Sequence, residues 1–256
     1  MGLSRRRILA TGVSCLWGPA SASGIVGLIA SMKPSVCAVG TYNALDSPRF
    51  GFRGSGFFVG NGSLVATCWH VLPDPSADAG PGVKTLAVLL PSPDGGAEVR
   101  EAELVASQRA HDLALLRVKG RPGTPVNLAA DSSPQEGMEV VLMGFPIGGV
   151  LGFKAVTHRG IVASIVASAL PTAQARQLKE SAVSRLREGS FELLQLDATA
   201  YPGNSGGPLF DVDTQQVIGV VNMVLVKNNR ESALSQPTGI TYAVPVRYLR
   251  DLMERR

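Results

Sequence analysis

Tyr201-Pro202-Gly203-Asn204-Ser205-Gly206-Gly207-Pro208 is the stretch on which the reading of this chain turns. It sets a serine among glycines, which lack a Cβ and so let the backbone approach a ligand closely and adopt conformations that other residues resist. Ser205 is therefore a candidate nucleophile. Gly203-Asn204-Ser205-Gly206-Gly207 also has the form G-x-S-x-G, which alone would fit a nucleophile elbow between a strand and a helix. The histidines separate these readings: the chain has three, His70, His111 and His158, and all precede Ser205.

An α/β-hydrolase elbow needs its acid and then its histidine after the serine, so this order excludes it. The order His, Asp, Ser is that of the chymotrypsin class. His70 closes the run Leu64-Val65-Ala66-Thr67-Cys68-Trp69-His70, and Asp112 opens the run Asp112-Leu113-Ala114-Leu115-Leu116. Other assignments are chemically conceivable. His111 adjoins Asp112, but neighbours on a strand face opposite ways. His158 would give the subtilisin order Asp112, His158, Ser205, with nothing else of that family around it. Cys68 could act as a nucleophile, yet it has no glycine-rich loop beside it.

Working outward, short β-rich runs dominate: 36–42, 56–59, 64–67, 83–90, 98–106, 113–118, 139–145, 154–166, 191–197, 217–226 and 240–244. Turn residues separate them, a spacing that suggests sandwiches or barrels, and no regular helix alternation supports a parallel sheet. The fold class is all-β. The Pro-, Gly- and Ser-rich stretch 119–137 divides the chain into two similar halves, an N-terminal one over 23–130 and a C-terminal one over 131–256, each able to close a small barrel. Helices are expected over 173–188 and 246–256.

Five motifs in this order resemble the HtrA/Deg group of trypsin-fold serine proteases. They are Gly54-Ser55-Gly56-Phe57-Phe58-Val59, Thr67-x-x-His70-Val71, His111-Asp112-Leu113-Ala114-Leu115-Leu116, Gly203-Asn204-Ser205-Gly206-Gly207-Pro208-Leu209, and Gly239-Ile240-Thr241-Tyr242-Ala243-Val244-Pro245. The resemblance implies two perpendicular six-stranded antiparallel barrels with a short C-terminal helix. It implies a catalytic triad of His70, Asp112 and Ser205, and an oxyanion hole in the loop Gly203, Asn204, Ser205, with the N–H groups of Gly203 and Ser205 as donors. It implies substrate contacts at Thr199, Asn222, Met223 and Val224. Thr199 stands where trypsin-like enzymes carry the base of the primary pocket, and Val224 where a glycine leaves that pocket deep, so small or medium aliphatic P1 residues are expected. Asn204 replaces the aspartate that pairs with a freed N-terminal amine in digestive enzymes; an amide needs no such cation.

The same resemblance implies polypeptide substrates of the unfolded or misfolded kind, no cofactor and no metal, and a possible homo-oligomer, a trimer by family likeness. Only Arg247 to Arg256 follow the last motif, so no PDZ domain is expected, and 168–190 stands where the family places activation loops. A non-enzymatic chaperone or peptide binder is the alternative function. Against it, a binder has no need of His70, Asp112 and Ser205 together.

Composition bounds the rest. The 256 residues are 45% hydrophobic and 17% charged, which argues against disorder. A net charge of +4 suggests nucleic acid at first sight. Three of the basic residues, however, are Arg5, Arg6 and Arg7, ahead of an uncharged run from Ile8 to Met32. Residues 1–22 have the basic, apolar and small-x-small parts of a secretory signal ending at Ala20-Ser21-Ala22, and Ser4-Arg5-Arg6-Arg7 resembles a twin-arginine address. Cleavage after Ala22 would leave 21 basic and 20 acidic residues, a nearly neutral chain with no aromatic-rich basic patch for nucleic acid. The expectation is export to a periplasm or beyond, with no stable membrane insertion. An uncleaved anchor is the competing reading, disfavoured by Gly18-Pro19 and the serines within the stretch. Cys37 and Cys68 lie in apolar runs and are expected as two buried thiols.

Overall fold

The computed structural model describes residues 23–74, 84–91, 96–130, 134–146, 152–167, 191–222 and 239–256. A helix, α1 (Ser23–Met32), leads into six strands: β1 (Val36–Tyr42), β2 (Phe50–Val59), β3 (Leu64–Cys68), β4 (Thr85–Pro91), β5 (Ala97–Gln108) and β6 (Leu113–Val118). Six more follow: β7 (Glu139–Gly144), β8 (Val156–Ala167), β9 (Glu192–Asp197), β10 (Pro208–Asp211), β11 (Val217–Asn222) and β12 (Ile240–Pro245), and then helix α2 (Val246–Glu254). Each set closes on itself, in the orders β1-β2-β3-β6-β5-β4 and β10-β11-β12-β9-β8-β7. All pairings between these strands are antiparallel. Closure removes the open edges that would otherwise invite pairing with other chains.

The strands read as they do because both of their faces are covered. Phe57 and Phe58 are adjacent and both fully buried, although neighbours on a strand point to opposite faces. The second face of β2 is covered by the connector. Val126 donates its N–H to Phe58 O at 2.9 Å, and a Cβ on Gly123 would lie 2.5 Å from the Phe58 ring. Leu113, Leu115 and Leu116 on β6 of the first barrel, and Leu142, Met143, Leu194, Leu196 and Phe210 on strands of the second, are likewise buried. Each such side chain is worth ~1.5–3 kcal/mol on burial. Farther along, the connector joins the second barrel, where Leu128 bridges Val217.

Three differences from the sequence reading have physical causes. β2 starts at Phe50, six residues before the expected 56, because Gly51 and Gly54 resemble a loop in composition yet serve close packing: a Cβ on Gly54 would lie 2.7 Å from Val71 and 2.9 Å from Ser205 O. β10 went unseen because its four residues begin with a proline directly after the glycine-rich loop. α1 was submerged in the uncharged N-terminal run. The expected tail helix is present as α2, whose Val246, Leu249 and Leu252 form one buried face. That face packs on β5 and β6 of the first barrel and on β11 and β12 of the second. The expected helix over 173–188 and the signal segment 1–22 lie outside the described residues. Among the described residues no helix is long and apolar enough to cross a membrane.

Candidate active site

β3 ends at Cys68 and the chain turns through a short 3-10 segment, Trp69–Val71, that carries His70. Asp112 sits in the turn just before β6, at a φ of 54°. That left-handed conformation is uncommon outside glycine, although aspartate tolerates it better than most. It is locked from both sides: Asp112 N–H donates to Arg109 O at 3.1 Å, and Trp69 N–H donates to Asp112 O at 3.0 Å.

The carboxylate of Asp112 is nearly buried and fully engaged. His70 Nδ1 donates to Oδ2 at 2.6 Å and the His70 main-chain N–H donates to Oδ1 at 2.9 Å. Asn222 Nδ2 donates to Oδ2 at 2.8 Å. A carboxylate only accepts, so Nδ1 carries the ring proton and Nε2 of the neutral imidazole is left as the acceptor. This is the tautomer a general base needs.

Ser205 comes from the second barrel. Tyr201, Pro202, Gly203 and Asn204 form a turn closed by Asn204 N–H to Tyr201 O at 3.0 Å, with Gly203 at a φ of 105°. Proline second and a positive-φ glycine third are the marks of a type II turn. Asn204, counted with the oxyanion loop from sequence, uses its N–H inside the turn. Its side chain is wholly buried, and neither amide atom has a hydrogen-bond partner among the described residues.

The Ser205 loop is stitched to the His70 segment. Gly206 N–H and the Cys68 thiol both donate to Val221 O, at 2.8 and 3.3 Å. A Cβ on Gly206, whose φ is 86°, would collide with Ser55 O and Thr67 Oγ1. Ser205 O accepts the Ser55 N–H at 2.8 Å. Chain segments bearing all three expected triad residues thus meet where the barrels face each other.

Of the expected substrate contacts, Thr199 is half-buried and Asn222 is buried with its amide turned to Asp112. Met223 and Val224 lie outside the described residues. The support that Asn222 gives to Asp112 was not visible in sequence. His111 lies in the turn and not on a strand; its ring packs 4.0 Å from that of Tyr248 and 4.7 Å from that of Phe191, measured between centroids. His158 lies on β8 against Tyr201, and burial lowers its pKa. Cys37 and Cys68 are free, buried thiols. Burial first, then the charge of Asp112, push the Cys68 thiol up, with the Gly206 N–H opposing.

Cys68, His70 and Asp112 bring ligand-type atoms within 4.8 Å of one another. Each is already committed: the thiol is protonated and donating, and both carboxylate oxygens accept from His70. The set suits proton transfer better than cation binding.

Comparison with known proteins bears on the family and the fold. The family model for a trypsin-like peptidase domain matches residues 54–220. The chain is 31% identical over 206 residues to the mitochondrial serine protease HTRA2 of Bos taurus, covering 79% of this chain and 36% of that protein. It is 27% identical to serine protease HTRA3 of Homo sapiens, covering 91% and 46%, and 28% identical to a probable periplasmic serine endoprotease DegP-like of Hahella chejuensis, covering 79% and 35%. The chain thus spans less than half the length of these relatives. Among solved structures, that of Deg5 superposes with a TM-score of 0.61 at 22% identity, covering 90% of this chain and 91% of that one. The Rv3671c protease in its inactive form also gives a TM-score of 0.61, at 20% identity with 93% and 96% covered. By sequence and by fold, the chain belongs to the trypsin-like peptidase family, with HtrA and Deg proteins among its relatives.

Proposed function

We propose that this protein is a serine endopeptidase that hydrolyses peptide bonds of unfolded or misfolded polypeptides after export. The observation that carries the reading is the double attachment of His70 to Asp112, through the imidazole Nδ1 and the main-chain N–H, which supports Nε2 as the proton acceptor. His70 Nε2 takes the proton of Ser205 Oγ as that oxygen attacks the substrate carbonyl, and Asp112 stabilises the imidazolium that results. The N–H groups of Gly203 and Ser205 receive the developing oxyanion, a role in which one donor is worth ~100 to 1,000-fold in rate. His70 then hands its proton to the leaving amine, which departs and leaves an acyl-enzyme. Water, deprotonated by the same imidazole, hydrolyses that ester and restores Ser205.

Export is supported by the signal-like residues 1–22 and by the word periplasmic in the names of DegP-like relatives. Thr199 brings no charge to the primary pocket, which supports small or medium aliphatic P1 residues. A dominant Arg or Lys preference in a peptide-library digest would overturn that specificity. The decisive experiment for the activity is casein digestion with fluorophosphonate labelling. Wild type should digest and label while Ser205→Ala should do neither; equal digestion by both with no labelling would end the peptidase reading.

A further inference from the structure

Ser55 lies on β2 of the first barrel, is fully buried, and uses every polar group it has on the loop from the second barrel or on its supports. Its Oγ accepts from Phe145 N–H at 2.9 Å. An amide can only donate, so the hydroxyl proton is left for Gly203 O, 2.6 Å away. Its own N–H goes to Ser205 O at 2.8 Å, and its carbonyl accepts from Thr67 Oγ1 at 2.7 Å.

Two peptide units of the loop are thereby pinned at both ends. The Gly203–Asn204 unit is held by Ser55 Oγ at its carbonyl and by Tyr201 O at its N–H. The Ser205–Gly206 unit is held by Ser55 N–H at its carbonyl and by Val221 O at its N–H. Gly203 at a φ of 105° has many other conformations open to it, because nothing at a Cβ confines it. Between and before the pinned units lie the N–H groups of Ser205 and Gly203.

We propose that Ser55 is a positioning residue for the oxyanion hole: one serine of the first barrel sets the direction of both donors on the second. This rests on the peptidase reading above. Loss of the hydroxyl would leave Gly203 O and Phe145 N–H unpaired and release the Gly203 peptide, while the substrate-binding surface would be unchanged. The effect belongs in the transition state and not in ground-state binding.

The test compares wild type, Ser55→Ala and the milder Ser55→Cys as full chains, with Leu64→Val in the first-barrel core as a control for stability. Four measurements are made: fluorophosphonate labelling rate, kcat and KM on a peptide substrate, affinity for a peptide boronate against the matching peptide product, and amide exchange at Asn204 and Gly206. Ser55→Ala should lose about 10- to 100-fold in kcat, a fraction of the cost of a missing donor, with KM within about twofold. Boronate affinity should fall by a similar factor and product affinity should hold, while both amides exchange faster. Ser55→Cys should fall between, and Leu64→Val should lower Tm without the kcat loss. A wild type that labels, with a Ser55→Ala that labels equally fast and protects both amides equally, would overturn the proposal for Ser55 alone. A wild type that never labels would overturn the peptidase reading and the catalytic part of this one, with the clamp itself still judged by exchange.

Discussion

His70 and Asp112 are joined twice: the imidazole Nδ1 and the main-chain N–H of one residue both donate to the carboxylate of the other, at 2.6 and 2.9 Å. The ring cannot change its hydrogen-bonding tautomer without breaking a contact that the backbone also helps to hold.

Asp112→Asn would remove that control, since an amide can present a donor where the ring needs an acceptor. The expected result is a fall of ~10,000-fold in kcat, the scale seen when the tautomer is wrong. Asn222→Ala takes away only one donor to Oδ2, and a loss of about tenfold is expected. Steady-state kinetics on one peptide substrate checks both, and an Asn222→Ala loss as large as that of Asp112→Asn would contradict a supporting role.

Asn204→Asp places a carboxylate in a wholly buried site where neither side-chain amide atom of Asn204 has a hydrogen-bond partner among the described residues. Burial raises the folded-state pKa of such a group above its unfolded value near 4. The folded protein then holds the proton more tightly than the unfolded one. The variant should therefore be near wild type in stability at acid pH and lose stability as pH rises from ~4 toward the raised folded pKa, reaching ~3 kcal/mol if that pKa is passed. Urea unfolding at several pH values reads this directly.

Gly206→Ala asks a Cβ to share space with Ser55 O and Thr67 Oγ1 at a φ of 86°. Overpacking and backbone strain together should cost ~3 kcal/mol, seen as a lowered urea midpoint, and labelling by fluorophosphonate should vanish. Retained labelling at the wild-type rate would show that the loop can rearrange without harm.

His158 should make acid unfavourable to the fold. Its folded-state pKa is lowered by burial, so the unfolded chain takes up the proton first. Its contribution is unpenalised above the unfolded value of ~6.5 and erodes as pH drops below it. His158→Gln should narrow the difference in Tm between pH 7.5 and pH 5; an unchanged difference would remove His158 as a cause.

Cys37 and Cys68 should resist alkylation in the native protein. Burial pushes both thiols up, and the thiolate is the reactive form. Iodoacetamide at pH 8 followed by peptide mapping should modify neither until denaturant is added.

The sequence discloses chemistry where a few neighbouring residues carry it. The glycines around Ser205, and the positions of His70 after a strand and Asp112 before one, are local patterns; the all-β class follows from strands punctuated by turns, and the pair of six-stranded barrels from the resemblance of five motifs. What it conceals is long-range. Ser55 reaches Gly203 across 148 positions and Asn222 reaches Asp112 across 110, and neither leaves a trace in its own neighbourhood. The left-handed turn at Asp112 is hidden for another reason: the residues look like the start of a strand, while the hydrogen bonds from Trp69 and to Arg109 decide otherwise.

The division of the site between the barrels has a practical consequence. His70 and Asp112 ride on one and Ser205 on the other, tied by Ser55 to Gly203 and by Asn222 to Asp112. Turnover is then a gauge of alignment rather than of folding. As denaturant is added, catalysis should fade while the circular dichroism of both sheets is still intact, because on the proposed mechanism a slip at the seam too small to open either barrel would already part the base from its nucleophile.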